Sequence, residues 1–268
     1  FPTPLGSRLC ILDFDSRPLS GPNELFSPLH HISYPAAAPD SLGLGILNHG
    51  LYALVHGYRH FFVRTGVREG RGPSWAKPGV IKDTTSGCEV VIFLDSDAIF
   101  RHLELPAEWL LNRWGVTRDT KLAMALDPGS LEGVEVGFND VDGERMHNTG
   151  FIVAVRSERT REILEAWAGC VDGERDEGGD GSASASARAG KLGFPGCEKW
   201  AYNWPLDQGA WAEFVRRRFN ESGDVRDLPC QEANGYEGSG TECDGLFVEH
   251  LWRAKWLLKE RVGLGVVQ

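Results

Sequence analysis

Apolar residues along this chain fall into short runs separated by polar turns, and the spacing within each run assigns it to a strand or a helix. Arg8 to Leu12 (RLCIL) reads as a buried strand ending at Asp13, and Arg59 to Val63 as a second. Val90-Val91-Ile92-Phe93-Leu94 is the clearest strand, an unbroken apolar run leading directly into Asp95. Lys121 to Leu126 and Phe151 to Val155 predict two more. Helical patterns lie between them. Leu44, Leu47, Leu51, Leu54 and Val55 recur at helical spacing within Leu42 to His56, and Gly57 stops that helix. Arg159 to Ala168 predicts a helix with Ile163, Leu164 and Trp167 inward. Asp207 to Phe219 predicts another, carrying Trp211, Phe214 and Val215.

Short apolar strands alternating with helices predict an α/β sandwich with a largely parallel sheet. Asp172 to Gly190 (DGERDEGGDGSASASARAG) is too polar to pack. It reads as a flexible loop inside one domain spanning residues 1–268, because strand and helix signals resume on both sides. No internal repeat is visible.

Composition adds limits. With 268 residues, 41% hydrophobic and 25% charged, the chain has enough apolar surface for a core that needs no disulfide support. A formal net charge of -10 argues against nucleic acid or an anionic membrane as the main partner. An acidic protein still binds a nucleotide diphosphate if a cation neutralises the pocket. The six cysteines are too few for a disulfide scaffold and lack zinc spacing. Cys10 and Cys88, in or beside apolar runs, read as buried free thiols. Cys230 and Cys243 flank a Gly/Glu/Ser-rich loop and are the best disulfide candidate. Asn220-Glu221-Ser222 is a sequon usable in a secretory compartment. The chain has no long uninterrupted apolar stretch, so any membrane anchor is expected outside it.

Candidate chemistry centres on Asp95-Ser96-Asp97. In open α/β sheets ligands bind beyond the carboxyl ends of strands, where both aspartates lie. Hard cations such as Mn²⁺ or Mg²⁺ prefer carboxylate oxygens and share their shell with substrate phosphates. Two further D-x-D triplets compete. Asp140-Val141-Asp142 has no strand before it and reads as a solvated turn. Asp13-Phe14-Asp15 follows an apolar strand and stays in contention.

The run Val91 to Phe100 (VIFLDSDAIF) resembles the metal motif of GT-A-fold glycosyltransferases, and is most similar to glycosyltransferase family 34 (galactosyl-, xylosyl- and mannosyltransferases). Other segments match in order: Asn48 to Tyr58 with the family's first long helix, Trp75-Ala76-Lys77-Pro78 with the segment before the metal strand, and His147-Asn148-Thr149-Gly150-Phe151 with its N-T-G strand. Leu206-Asp207-Gln208 resembles the D-Q helix start, and Val248-Glu249-His250 the C-terminal histidine. The 172–190 insertion and the absence of a small-residue run after His250 depart from that pattern.

The resemblance implies a GT-A-like, Rossmann-related domain and a metal-dependent retaining transferase. Its donor would be a nucleotide-diphosphate sugar, UDP-galactose or UDP-xylose first and GDP-mannose second. The acceptor would be an oligosaccharide or glycoprotein, and the chain a possible homo- or hetero-oligomer of the Golgi or secretory lumen. Asp95, Asp97 and His250 would hold Mn²⁺ (or Mg²⁺). Ser96, Lys77, Asn148, Thr149 and Lys255 would bind substrate, with Asp13 near the nucleoside. Asp207 and Gln208 would be sugar-binding or catalytic, although Asp207 also suits a plain helix N-cap. Lys255 lies on a different helical face from His250 and reaches the diphosphate only if the chain turns between them. Trp200, Trp204 and Trp211 read as packing more readily than as sugar platforms.

Two other classes compete. Cys10-Ile11-Leu12-Asp13-Phe14-Asp15 resembles the strand-ending motif of haloacid-dehalogenase phosphohydrolases, with Asp13 as nucleophile. A non-catalytic transferase-like subunit is the third, since fold does not fix function.

Overall fold

The computed structural model describes residues 1–21, 24–27, 43–66, 69–129, 139–172, 193–221 and 223–267. A six-stranded sheet forms its centre. In chain order the strands are β1 (Leu9–Asp15), β2 (Arg59–Arg64), β3 (Val90–Leu94), β5 (Leu122–Leu126), β6 (His147–Val155) and β7 (Val225–Leu228). Their spatial order is β2-β1-β3-β6-β5-β7. β1 is parallel to β2 and β3, and β5 to β7, while β6 runs antiparallel to both its neighbours. The sheet is mostly parallel, with one reversed strand at its middle. β4 (Ala98–Phe100) and β8 (Val248–His250) make a separate two-stranded ribbon.

Helices cover both faces, which is why β3 is a continuous apolar run and not an alternating one. On one face Ile11, Ile92, Leu94 and Val153 pack with Tyr52 and Ala53 of α1 (Gly43–His56) and Leu110 and Leu111 of α3 (Ala107–Arg113). On the other, Leu12, Val91, Phe93 and Ile152 meet Ile81 of α2 (Lys77–Thr85) and Ile163, Leu164 and Trp167 of α4 (Glu158–Gly169). Ser157 caps α4 by accepting from the Thr160 N–H.

The structure differs from the sequence reading in several places. β1 runs on to Asp15, so Asp13 lies within the strand. β6 begins at His147, before the apolar run, because its polar first residues pair with the end of β5. The predicted helix from Asp207 is α5 (Asp207–Ala210) continuing through a π-helical turn, Trp211–Val215, into Arg216–Arg218. In α1 the buried stripe is rotated: Leu54 and Val55 are exposed, while Asn48 and His49 are buried. The 172–190 insertion lies, beyond Asp172, outside the described residues.

The cysteine reading is corrected. Cys10 and Cys88 are not free thiols but a disulfide, since neighbouring β1 and β3 bring their Cα atoms to 6.0 Å across 78 residues of chain. Cys170–Cys197 is a second bond, and Cys230–Cys243 forms as expected. Among the described residues no helix is long and apolar enough to cross a membrane.

Candidate active site

Reversal of β6 builds the site. Its first residues sit beside the last residues of β3 and β5, with Phe151 opposite Leu94 and His147 opposite Leu126. Asp95 after β3, Asp127 after β5 and Asn148-Thr149 of β6 therefore converge at one end of the sheet. The β4–β8 ribbon adds the rest: Ala98, next to Asp97, pairs with His250.

Asp95, Asp97 and His250 offer ligand atoms that all lie within 4.8 Å of one another. His250 Nε2 is 3.4 Å from Asp97 Oδ1, and Lys255 Nζ is 3.0 Å from Asp97 Oδ2. Burial pushes the Asp97 carboxyl up, but His250 and Lys255 outweigh it and hold the group well below the usual carboxylate range. Asp95 is pushed the other way, first by burial and then, against Lys77, by the Asp97 charge. Burial works to lower the His250 pKa, yet Asp97 raises it. Two crowded carboxylates and one imidazole form an O,O,N donor set that could hold a divalent cation. On the far side of the ring His250 Nδ1 is 3.2 Å from Asn234 Oδ1, so an Nδ1–H donated there leaves Nε2 free as a ligand. The Cys230–Glu242–Cys243 cluster is not a rival, because its sulfurs are bonded to each other.

Space for the His250 ring is set by Gly150. A Cβ on that glycine would stand 2.2 Å from His250 Cε1. Gly150→Ala is expected to displace the ring and weaken Mn²⁺ binding on the order of 10-fold in a folded chain, read by metal titration. Unchanged affinity would show that the ring position is immaterial.

Lys77 is the hub of the second half. It is buried, with Nζ 2.8 Å from Thr149 O, 3.2 Å from Thr149 Oγ1, 3.3 Å from Asp95 Oδ1 and 3.5 Å from Asp207 Oδ2. Burial lowers its pKa, but Asp207 and Asp95 win and raise it. Thr149 Oγ1 donates to Asp207 Oδ2, and the Thr149 N–H to Gln208 Oε1. Asn148 and Gln208 donate to opposite oxygens of Asp127 at 2.8 and 2.6 Å. Ser96 sits between the two aspartates, with Arg17 Nη2 3.4 Å from its Oγ. The chain does turn after His250, through the Ala254 N–H to Leu251 O bond, and this brings Lys255 back to Asp97.

Ten of the eleven residues singled out from sequence are thus brought together in one cluster. Asp13 is the exception. It is 1% exposed, and its two oxygens are held by His49 and His60 at 2.7 and 2.6 Å. Neither oxygen is open to a phosphorus, as a nucleophile requires. The third triplet forms a turn: the Asp140 side chain is buried against Arg216 and Arg217, and Asp142 is exposed. Trp211 is fully buried, Trp200 half-buried and Trp204 exposed.

No family model and no curated protein sequence matches the chain. Solved structures do match. A glycosyltransferase involved in glycosylation of the major capsid of PBCV-1 superposes with a TM-score of 0.56 at 12% identity, over 95% of this chain and 98% of that one. The fold is that of the GT-A glycosyltransferases. Mouse xyloside xylosyltransferase 1 aligns over 90% of this chain and 96% of its own, at 11% identity and a TM-score of 0.42. The galactosyltransferase LgtC, solved with donor and acceptor sugar analogues, aligns over 96% and 95%, at 12% identity and a TM-score of 0.43.

Within this GT-A frame, sequence reasoning missed Asp127 and Asn234. Asp127 follows the apolar strand Leu122–Leu126, the same signal that marked Asp95, but with no second acid beside it. Burial pushes its carboxyl up against the hydrogen bond from Asn148. Asn234 is buried between His250 and Asp127, and no local pattern marks it.

Proposed function

We propose that this chain is a metal-dependent retaining glycosyltransferase that moves a hexose or pentose from a nucleotide-diphosphate sugar to a glycan acceptor. The observation that supports it best is the Asp95–Asp97–His250 donor set flanked by Lys255 on one side and Lys77 on the other. Mn²⁺ or Mg²⁺ held there would neutralise charge on the departing diphosphate. Lys255, about half exposed at the rim, adds a second positive charge for the same phosphates. Lys77 stands between Asp95 and Asp207, 3.3 and 3.5 Å from their oxygens. Asp207 and Gln208 are assigned to the sugar side of the site, where the Asp207 charge behind Thr149 would stabilise an oxocarbenium-like centre. UDP-galactose or UDP-xylose is the first donor to test and GDP-mannose the second. The three disulfides support an oxidising compartment, in keeping with the secretory lumen, and Asn220 of the sequon is exposed.

The direct test is donor hydrolysis or transfer with a panel of nucleotide sugars, first with EDTA and then with Mn²⁺ restored. Activity is expected only with the metal; full activity in EDTA would remove the metal from the reading. Lys255→Ala separates metal from nucleotide. It is expected to leave Mn²⁺ affinity unchanged and to weaken nucleotide-diphosphate binding roughly 10-fold, the lower end for a charge-assisted contact because the lysine is solvated. Calorimetric titration of each ligand reads both numbers, and wild-type nucleotide affinity would exclude Lys255 from the site.

A further inference from the structure

β4 begins immediately after Asp97 and belongs to a two-stranded ribbon, so one of its edges has no strand beside it. Residues 97, 99 and 101 turn their backbone groups toward β8: the Leu251 N–H donates to Asp97 O, and the Arg101 N–H to Phe247 O. Ala98 and Phe100 face the other way. A bare buried edge costs free energy for each unmade hydrogen bond. Here α1 supplies the bonds from side chains. The Asn48 amide donates to Phe100 O at 3.0 Å and accepts from the Phe100 N–H at 2.9 Å, as a strand residue would. His49 Nε2 meets Ala98 O at 2.7 Å. One turn earlier, Gly45 lies so close beneath the loop that a Cβ would be 2.0 Å from Ser96 O. The Ala98 N–H closes the same turn onto Asp95 O at 2.8 Å.

The His49 ring has an acceptor on each nitrogen, Ala98 O on Nε2 and Asp13 Oδ1 on Nδ1, and is fully buried. A neutral imidazole has one N–H, so it would leave an unshared pair facing either a carbonyl or a carboxylate. An imidazolium satisfies both, with Asp13 as counter-ion. The second Asp13 oxygen is taken by His60 Nε2 at 2.6 Å, which fixes the carboxylate in place.

We propose that Asn48 and His49 are positioning residues for the Asp95-Ser96-Asp97 loop, with His49 bonding the Ala98 carbonyl as an imidazolium paired with Asp13. The inference rests on the metal role proposed for Asp95 and Asp97, but its charge component stands apart from that role. Burial pushes the Asp13 carboxyl up, and His49 and His60 more than reverse this, which agrees with an ionised Asp13. The arrangement also accounts for a polar pair on the buried face of an otherwise apolar helix.

Two measurements test it. The first is Mn²⁺ affinity by electron paramagnetic resonance, at a temperature where circular dichroism shows each variant folded. His49→Ala is expected to weaken binding on the order of 10-fold or more, as loss of a group that orients metal ligands does. Asp13→Asn is expected to stay within about threefold, because the amide replacing the carboxylate would donate to a neutral His49 Nδ1 and still accept from His60. Wild-type affinity in His49→Ala overturns the positioning role. If His49→Ala does not fold, Asn48→Ala, which frees the Phe100 edge and keeps the ion pair, carries the same expectation. The second is ¹⁵N NMR of the His49 ring in metal-free protein, with two protonated nitrogens expected in the wild type and one in Asp13→Asn. A neutral ring in the wild type overturns the ion pair. Failure of the wild type to bind Mn²⁺ overturns the metal reading itself and leaves the NMR result to decide the ion pair.

Discussion

Asp97→Asn is expected to abolish nucleotide-sugar turnover while leaving the chain folded. The side chains are nearly isosteric, so packing around this buried position is preserved. Electrostatics is not preserved. Asp97 Oδ1 faces His250 and Oδ2 faces Lys255, so an amide has no charge to offer the ammonium and keeps at most one oxygen for a cation. A donor set reduced to one carboxylate and one imidazole has little hold on a hard cation. The expected loss in kcat/KM is on the order of 10³, the range seen when one preorganised stabiliser of transition-state charge is removed. Asp142→Asn is the matched control. That carboxylate is 61% exposed and pairs with Arg217 at the surface, so the change is expected to stay within about 0.5 kcal/mol of neutral. Steady-state kinetics and Mn²⁺ titration on both variants decide the matter. Turnover in Asp97→Asn near the wild-type rate would take Asp97 out of the site.

Lys77→Met is expected to cost both activity and stability. Methionine keeps most of the stem but removes the charge, which lies 5.2 Å from the Phe93 ring centroid. Asp207, 3% exposed at its side chain, then has no cation, and Asp95 loses its nearest one. Breaking a fully buried pair in this way typically costs about 3–5 kcal/mol. Asp95 is a third exposed, so the lower figure applies, a fall of roughly 6–12 °C in melting temperature for a domain of this size. The pH dependence has a definite sign. Burial already pushes the Asp95 carboxyl up, and loss of Lys77 raises it further. A folded pKa above the unfolded value favours the folded state as pH falls. The stability gap to wild type should therefore be widest at neutral pH and narrow as the pH falls. Thermal melts from neutral pH downward test it; a gap that does not change with pH would mean that lost packing, not stranded charge, is responsible.

What the sequence revealed divides along a physical line. β3, α4 and the strand ending near Asp13 were legible because burial on a sheet face or helix stripe imposes a local period. Asp95 and Asp97 stood out as candidates because two carboxylates follow an unbroken apolar strand, but the same signal at Asp13 left the choice open until the family resemblance was added. Lys77, Thr149, Gln208 and Lys255 entered through family resemblance, since nothing in their own neighbourhoods distinguishes them from ordinary strand-end, helix-start or surface residues. Asn234 and the Cys10–Cys88 bond were hidden, because each depends on a contact between segments far apart in sequence. The burial of Asn48 and His49 was not signalled, for a related reason. Helical periodicity ranks positions by hydrophobicity, while the surface that α1 covers is a strand edge whose demand is for hydrogen bonds.

All six native cysteines are consumed in disulfides. A single cysteine introduced at an exposed position, such as Trp256 next to the rim residue Lys255, or Tyr202, would then be the one thiol available for chemistry. A nitroxide attached there needs no prior removal of native cysteines, and bound Mn²⁺ would serve as its paramagnetic partner. Distances from these two positions to the metal would report, in solution and with the disulfides intact, how far each moves when a nucleotide sugar binds.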